Sequence, residues 1–284
     1  MIIGHQKQWN FLKKAAETAS FSHAYLFSGP EKLGKRTMAL EWISLLFGQN
    51  IKNHPDFVLV EPQAKEIKIS QIKDLIWRLS FRPGSAGMKA AMIDNAHLMN
   101  QEAQTCLLKT LEEPKGNALL ILITDKIQEL FPTIVSRVQT IKFYQVDNEE
   151  IKNYLKKQQV SEGDQEEICR ASAGRPGIAF DFVSDPQRMD TFHDKIKEVE
   201  KISKTDLAFR FRYAKELSED VQKTRETLDA WTLYFREKLI KAVNNRQSTI
   251  KLREILYFLQ KTNSLILGTN VNPRLALETL MLEL

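Results

Sequence analysis

The residues whose spacing most clearly promises chemistry are Gly29-Pro30-Glu31-Lys32-Leu33-Gly34-Lys35-Arg36-Thr37. They follow a short apolar run, Ala24–Phe27, and open a stretch of helical periodicity, which is the context of a phosphate-binding P-loop. Gly29 and Gly34 let the backbone turn tightly enough to aim successive N–H groups at an anion. The helix that follows adds the positive end of its dipole. Lys35 is predicted to reach the terminal phosphates of a nucleotide. The next position calls for a Ser or Thr hydroxyl to hold magnesium, but Arg36 stands there. Thr37 comes one residue late, rotated by about 100° around the helix. An arginine can bind phosphate and cannot hold a cation. The loop therefore reads as one that binds nucleotide weakly and does not hydrolyse it.

Two further positions belong to the same chemistry. The apolar run Lys89–Asp94 ends in an aspartate, the group that positions magnesium in P-loop enzymes. Its neighbour is Asn95, and an amide cannot take up a proton as a general base. Thr124 closes the run Ala118–Thr124 where a polar side chain can touch a γ-phosphate.

These groups need strands and helices to hold them. Apolar spacing predicts helices over 8–20, 37–47 and 67–79, with Gly48 ending the second. Strands are predicted at 24–27, 56–61, 89–94, 118–124 and 138–143. Asn100 is the predicted N-cap of a helix that runs to Glu113 and is stopped by Pro114. Strands alternating with helices predict a parallel α/β sheet. Ligands bind such sheets at the carboxyl ends of the strands, where the loop, Asp94 and Thr124 all fall. Beyond Phe143 the strand pattern stops. Helices are predicted at 147–157 and 165–172, followed by a sharp turn, Gly174-Arg175-Pro176-Gly177, and a linker at Ser184-Asp185-Pro186. Long helices follow near 188–202, 205–217, 221–244, 249–267 and 273–284. The apolar ending Leu275–Leu284 is predicted to pack inside a helical bundle.

Composition narrows the class. The chain has 284 residues, 43% hydrophobic and 27% charged, with a net charge of +5; this is ordinary for a globular protein of two or three domains. The mild basic excess permits an acidic partner without requiring one. Two distant cysteines, Cys106 and Cys169, indicate neither a disulfide framework nor a zinc site. No signal peptide and no run of roughly 18 apolar residues is found, so no membrane association is expected and a reducing cytoplasm fits best.

Several runs together carry a family likeness. His23-Ala24-Tyr25-Leu26-Phe27-Ser28-Gly29-Pro30, Leu107-Leu108-Lys109-Thr110-Leu111-Glu112-Glu113-Pro114 and Pro132-Thr133-Ile134-Val135-Ser136-Arg137 resemble the AAA+ clamp-loader family. The last looks like its Ser-Arg-Cys motif with Val138 in place of the cysteine. His54-Pro55-Asp56 and Asn270–Glu278 look like the delta-prime branch of the bacterial DNA polymerase III clamp loader. The resemblance implies an AAA+ domain over 1–145, a helical lid over 146–184 and a helical collar over 185–284. It implies partnership with gamma/tau and delta subunits in a five-subunit ring, and contact with a sliding clamp and primed DNA through that complex. It casts Arg137, preceded by Ser136, as an arginine finger acting on ATP held by a neighbouring subunit. The second sensing arginine of active relatives is matched by Ile178, with Arg175 three residues early. The zinc module that follows the P-loop helix in many relatives is not expected in the short, cysteine-free stretch 48–56. No cofactor is required, and any ATP or ADP binding is expected to be weak. Arg78, Arg82 and Lys89 are read as solvated charges in preference to DNA contacts. The alternative role is an autonomous gamma/tau-like ATPase, which the residues at 36 and 95 disfavour.

Overall fold

The computed structural model describes every residue except Met1, Lys52, Ala64, Ser85, Pro114, Lys115, Thr269 and Asn270, and only the backbone of Leu267 and Gly268. The proline expected to stop a helix and the first residue of the Asn270–Glu278 run thus lie outside the described residues. Two compact units divide the chain: Met1–Lys157 with Gly174–Ile178, and Gln158–Ala173 with Ala179–Leu284.

The first unit is an α/β layer structure. Strands β1 (Ala24–Ser28), β2 (Phe57–Val60), β3 (Lys89–Ile93), β4 (Ala118–Thr124) and β5 (Gln139–Lys142) form a five-stranded sheet in the order β2-β3-β4-β1-β5. Every pairing is parallel. Successive side chains of a strand point to opposite faces, and here both faces are covered. Ala24, Leu26, Ala91, Ile93, Leu120 and Leu122 pack on one side with helices α3 (Ile69–Leu79) and α4 (Gln101–Glu112). Tyr25, Phe27, Met92, Ile121 and Ile123 pack on the other with α1 (Gln6–Glu17) and α2 (Lys35–Phe47). That double burial explains why the central strands read as continuous apolar runs. The fully buried Trp42 donates its indole N–H to the Leu12 carbonyl at 2.8 Å, so α2 is tied to α1 as well as packed on it.

Helix ends shift from the sequence reading for identifiable reasons. α2 begins at Lys35 rather than 37, so Lys35, Arg36 and Thr37 all lie in its first turn, with Gly34 as N-cap at φ 85°. Asn100 caps α4 as predicted, its side chain accepting from Ala103 N–H at 2.9 Å. α5 (Pro132–Val135) and α6 (Asn148–Lys157) complete the unit's main helices. α7 (Glu162–Ser172) starts three residues before the predicted 165, because Ser161 caps it and Gly163, which reads as a turn residue, is helical. α8 (Pro176–Ser184) absorbs the second half of the predicted 174–177 turn. Proline is well suited to the first turn of a helix, where its missing N–H has no partner to lose.

The remaining helices are α9 (Gln187–Ile202), α10 (Leu207–Ser218), α11 (Val221–Asn244), α12 (Ile250–Gly268) and α13 (Pro273–Glu283). Their shared core includes Val199, Leu217, Leu228, Trp231, Leu259, Leu277, Leu280 and Met281. The apolar ending packs within this bundle as predicted. Arg210 reaches from α10 to donate to the carbonyls of Ile202, Ser203 and Thr205 at the end of α9 and to Met281 on α13, at 2.9–3.2 Å. A cation satisfying the last carbonyls of a helix also meets the negative end of its dipole.

Candidate functional site: a P-loop whose cations are engaged

The carboxyl ends of the parallel strands bring the loop 29–34, Asp94 and Thr124 to one edge of the sheet. Gly29 is held by two neighbours. Its N–H donates to the Thr124 carbonyl at 3.2 Å, and at φ 149° any Cβ would collide with the Phe143 carbonyl. A second close approach caps the loop from the far end of the unit. Gly177 donates its N–H to the Lys32 carbonyl at 2.8 Å, and a Cβ there would meet that oxygen at 2.9 Å. The first turn of α8 therefore abuts the P-loop through Gly177.

Lys35 is only 6% exposed and donates to the carbonyls of Gly29 and Pro30, the latter at 2.6 Å. Two of its three ammonium donors are thus spent on the loop. Burial pushes its pKa down, and the carboxylates of Asp125, Glu31 and Asp94 pull against that shift.

Arg36 behaves differently from the anion-binding residue that its type permits. Its guanidinium donates to Asp94 Oδ2 at 2.9 Å and to Glu61 Oε1 at 2.5 Å. Glu61 follows β2 and Asp94 follows β3, so the side chain ties the first turn of α2 to two strand ends. The other oxygen of Asp94 accepts the Asn95 N–H at 3.0 Å. Asn95 itself adopts a left-handed conformation, φ 51°. Thr37 is exposed on α2. A magnesium ion, which the fold family implies at this place, does not fit these residues. The hydroxyl is absent from the position after Lys35, and Asp94 is bonded to a cation of its own chain.

Thr124 is fully buried, with its hydroxyl turned inward. It accepts the Lys126 N–H at 3.0 Å and lies 3.2 Å from His97 Nδ1. The same nitrogen is 3.2 Å from Asp125 Oδ1. That distance is within ion-pair range, yet the buried Asp125 oxygen has no hydrogen-bond partner among the described residues. Burial pushes the His97 pKa down, with Asp125 and Glu129 opposing. His5 adjoins the loop as well. Burial lowers its pKa, a hydrogen bond to the Leu33 backbone raises it, and the Lys35 charge lowers it again.

Ser136 and Arg137 follow the short helix α5, and both are exposed. Ser136 Oγ donates to the Thr133 carbonyl at 3.1 Å. Arg137 donates to the same carbonyl at 3.0 Å and pairs with Glu112 Oε1 at 2.8 Å. The guanidinium is therefore held at the surface by the Thr133 carbonyl, the Ser136 hydroxyl and one half-exposed carboxylate at the end of α4. Lys89, read as a solvated charge, is instead buried and paired with Asp56 at 3.5 Å. Arg78 pairs with Asp74 on its own helix at 2.9 Å, and Arg82 is exposed.

Sequence reasoning missed Glu61, His97, Glu112 and Gln104. The buried Gln104 donates to the carbonyls of Met99 and Glu129, each at 3.1 Å, and accepts from Phe131 N–H at 2.8 Å. It thereby links α4 to the segment that leads into α5. Only a buried amide bonded on both ends distinguishes it from a surface glutamine, and the helical pattern does not reveal that.

A family model described as DNA polymerase III, delta subunit, matches residues 4–147, half of the chain. The chain belongs to that family. Among curated relatives, it is 34% identical over 151 residues to the DNA polymerase III delta' subunit of Pseudomonas aeruginosa, covering 46% of this chain and 45% of the relative. It is 35% identical over 166 residues to the delta' subunit of Bacillus subtilis, covering 53% and 50%. The chain thus spans about half the length of the curated relatives it matches. A solved DNA polymerase III gamma subunit-related protein from Thermotoga maritima superposes with a TM-score of 0.57 at 18% identity, over 97% of each chain. The RuvB Holliday junction branch migration motor of Thermotoga maritima gives 0.51 at 18% identity over 70% of this chain and 64% of that one. At that identity the likeness concerns the fold, which is the AAA+ α/β fold. In this delta-subunit family member, the P-loop keeps its glycines and its lysine while an arginine takes the hydroxyl's place.

Proposed function

We propose that the chain is a non-hydrolysing clamp-loader subunit of the delta-prime type. It assembles with gamma/tau and delta subunits and gives Arg137 to ATP held by a neighbour. In this reading residues 1–145 form the AAA+ domain, 146–184 the lid and 185–284 the collar of a five-subunit ring. The ring acts on a sliding clamp at primed DNA in the cytoplasm. The chain needs no cofactor of its own and no zinc, and its own hold on ATP or ADP is weak.

The observation that carries this reading is the bond between Arg36 and Asp94. The carboxylate that would position the metal is paired with an arginine, and Asn95 offers no base. Catalysis at this chain's own loop has lost its electrophile and its base together. Arg137 supports the other half. It is exposed, it is the arginine of the Ser-Arg pair, and its one carboxylate partner, Glu112, is half-exposed, so that pair can exchange for a phosphate of another chain. A guanidinium that stabilises charge developing on a γ-phosphate is worth about 10³–10⁵ in rate.

The test is ATP turnover by the purified chain, alone and then mixed with its own gamma/tau and delta subunits, clamp and primed DNA. The expected result is no turnover alone and turnover in the mixture that collapses with Arg137→Ala while the complex still assembles. Magnesium-dependent turnover by the chain alone, lost with Lys35→Ala, would overturn the reading.

A further inference from the structure

We infer that Arg36 is a built-in cation that stands in for the divalent metal at Asp94, so that this P-loop selects against metal-bound nucleotide. The inference rests on reading the loop as non-hydrolysing and is independent of the role given to Arg137.

Three observations carry it. The first is position. From the first turn of α2, the guanidinium lies 2.9 Å from Asp94 Oδ2 and 2.5 Å from Glu61 Oε1. It therefore sits against one Asp94 oxygen, and the other already accepts the Asn95 N–H. Magnesium demands near-octahedral oxygen ligands at about 2.0–2.1 Å, and a guanidinium on the same carboxylate repels it.

The second is charge. Lys35 feels the carboxylates of Asp125, Glu31 and Asp94, and Arg36 meets Glu61 and Asp94. Without Arg36, Asp94 and Glu61 would lose the guanidinium that neutralises them, leaving a field that draws in a divalent cation. With it, both are already paired.

The third is the fold's use of the pair. Arg36 joins α2 to the ends of two separate strands, and its bond to Asp94 occupies the carboxylate that would position a metal. The pair is therefore present in the chain by itself and does not wait for a ligand.

The experiment uses the full-length chain. ADP carrying a fluorescent N-methylanthraniloyl group is titrated with magnesium and with EDTA, and manganese binding is followed by electron paramagnetic resonance. For the natural chain, magnesium is expected to change nucleotide binding by no more than about twofold, including the case of no binding under either condition. Arg36→Thr, which restores a hydroxyl and frees Asp94, is expected to make ADP bind at least about tenfold more tightly with magnesium than with EDTA. It should also hold manganese, and Arg36→Thr combined with Asp94→Asn should lose both gains. A tenfold magnesium effect in the natural chain, or a folded Arg36→Thr variant indifferent to magnesium, would overturn the inference. Should Arg36→Thr not fold, thermal unfolding of Asp94→Asn without nucleotide decides. A melting temperature lowered by about 2 °C or more supports Asp94 as the partner of Arg36, and an unchanged one overturns it. A failed arginine finger would appear only as unchanged ATPase of the assembled complex with Arg137→Ala, and would leave these binding results untouched.

Discussion

Arg36 and Arg137 are both arginines at the edge of the same α/β unit, and their guanidinium-bearing side chains are similarly exposed, 45% and 36%. Their partners separate them. Arg36 meets two carboxylates, one of which, Asp94, is only 13% exposed. Arg137 meets Glu112, which is 50% exposed. A carboxylate in water exchanges one cation for another at little cost, and exposed pairs contribute about 0–1 kcal/mol. A carboxylate withdrawn from water depends on the cation it has. Whether an arginine is available for a ligand is thus decided by the burial of what it touches, more than by its own.

The sharpest way to break the comparison is at Arg137. In the assembled complex Arg137→Ala should lower ATPase by about 10³–10⁵. Arg137→Lys should restore only a small part of it, because a point charge lacks the planar fork that spans two oxygens. Full rescue by lysine would mean that charge alone matters there.

The next effect tests the rule through stability. Asp56 is 3% exposed and accepts the N–H groups of Gly84 and Ala86 at 2.9–3.3 Å, with Lys89 at 3.5 Å. Burial alone would raise its pKa; the two N–H groups and Lys89 outweigh that and hold it below the ordinary carboxylate value. A depressed pKa in the folded state gives stability that is fully present above about pH 4, the unfolded value, and is lost as pH falls through the folded one. Asp56→Ala should cost about 3–5 kcal/mol by leaving Lys89 buried and unpaired. Chemical denaturation at neutral pH measures that loss. The difference between the two chains should then shrink as the pH falls below 4, and a difference that grew on acidification would reverse the sign argued here.

Asp94→Asn comes third, at about 1 kcal/mol, since its partner is half-exposed and water screens the pair. Glu112→Gln comes last, between 0 and about 1 kcal/mol, and its effect should vanish in high salt. The predicted order Asp56, Asp94, Glu112 follows carboxylate burial. Finding Glu112 costlier than Asp94 would refute burial of the partner as the deciding quantity.

Much of this molecule was legible in its residues. The runs 89–93 and 118–124 read as strands because both faces of the sheet are covered. The glycines, Lys35, Asp94 and Thr124 fall at strand ends because a parallel sheet puts all its carboxyl ends on one edge. The late hydroxyl at Thr37 and the amide of Asn95 were legible as departures from the hydrolytic pattern, since they are read from local spacing alone. Helix starts were less legible where Pro176 and Gly163 look like turn residues yet serve inside first turns.

What only the tertiary structure decided is which groups pair. Arg36 finds Asp94 and Glu61 across 58 and 25 residues of sequence, and Lys89 turns inward to Asp56 instead of outward to solvent. Thr124 faces His97 rather than open space, and Gly177 closes on Lys32 from far along the chain. Electrostatics acts through distances of a few ångströms and through exclusion of water, and neither quantity exists along a sequence until the strands have been laid side by side.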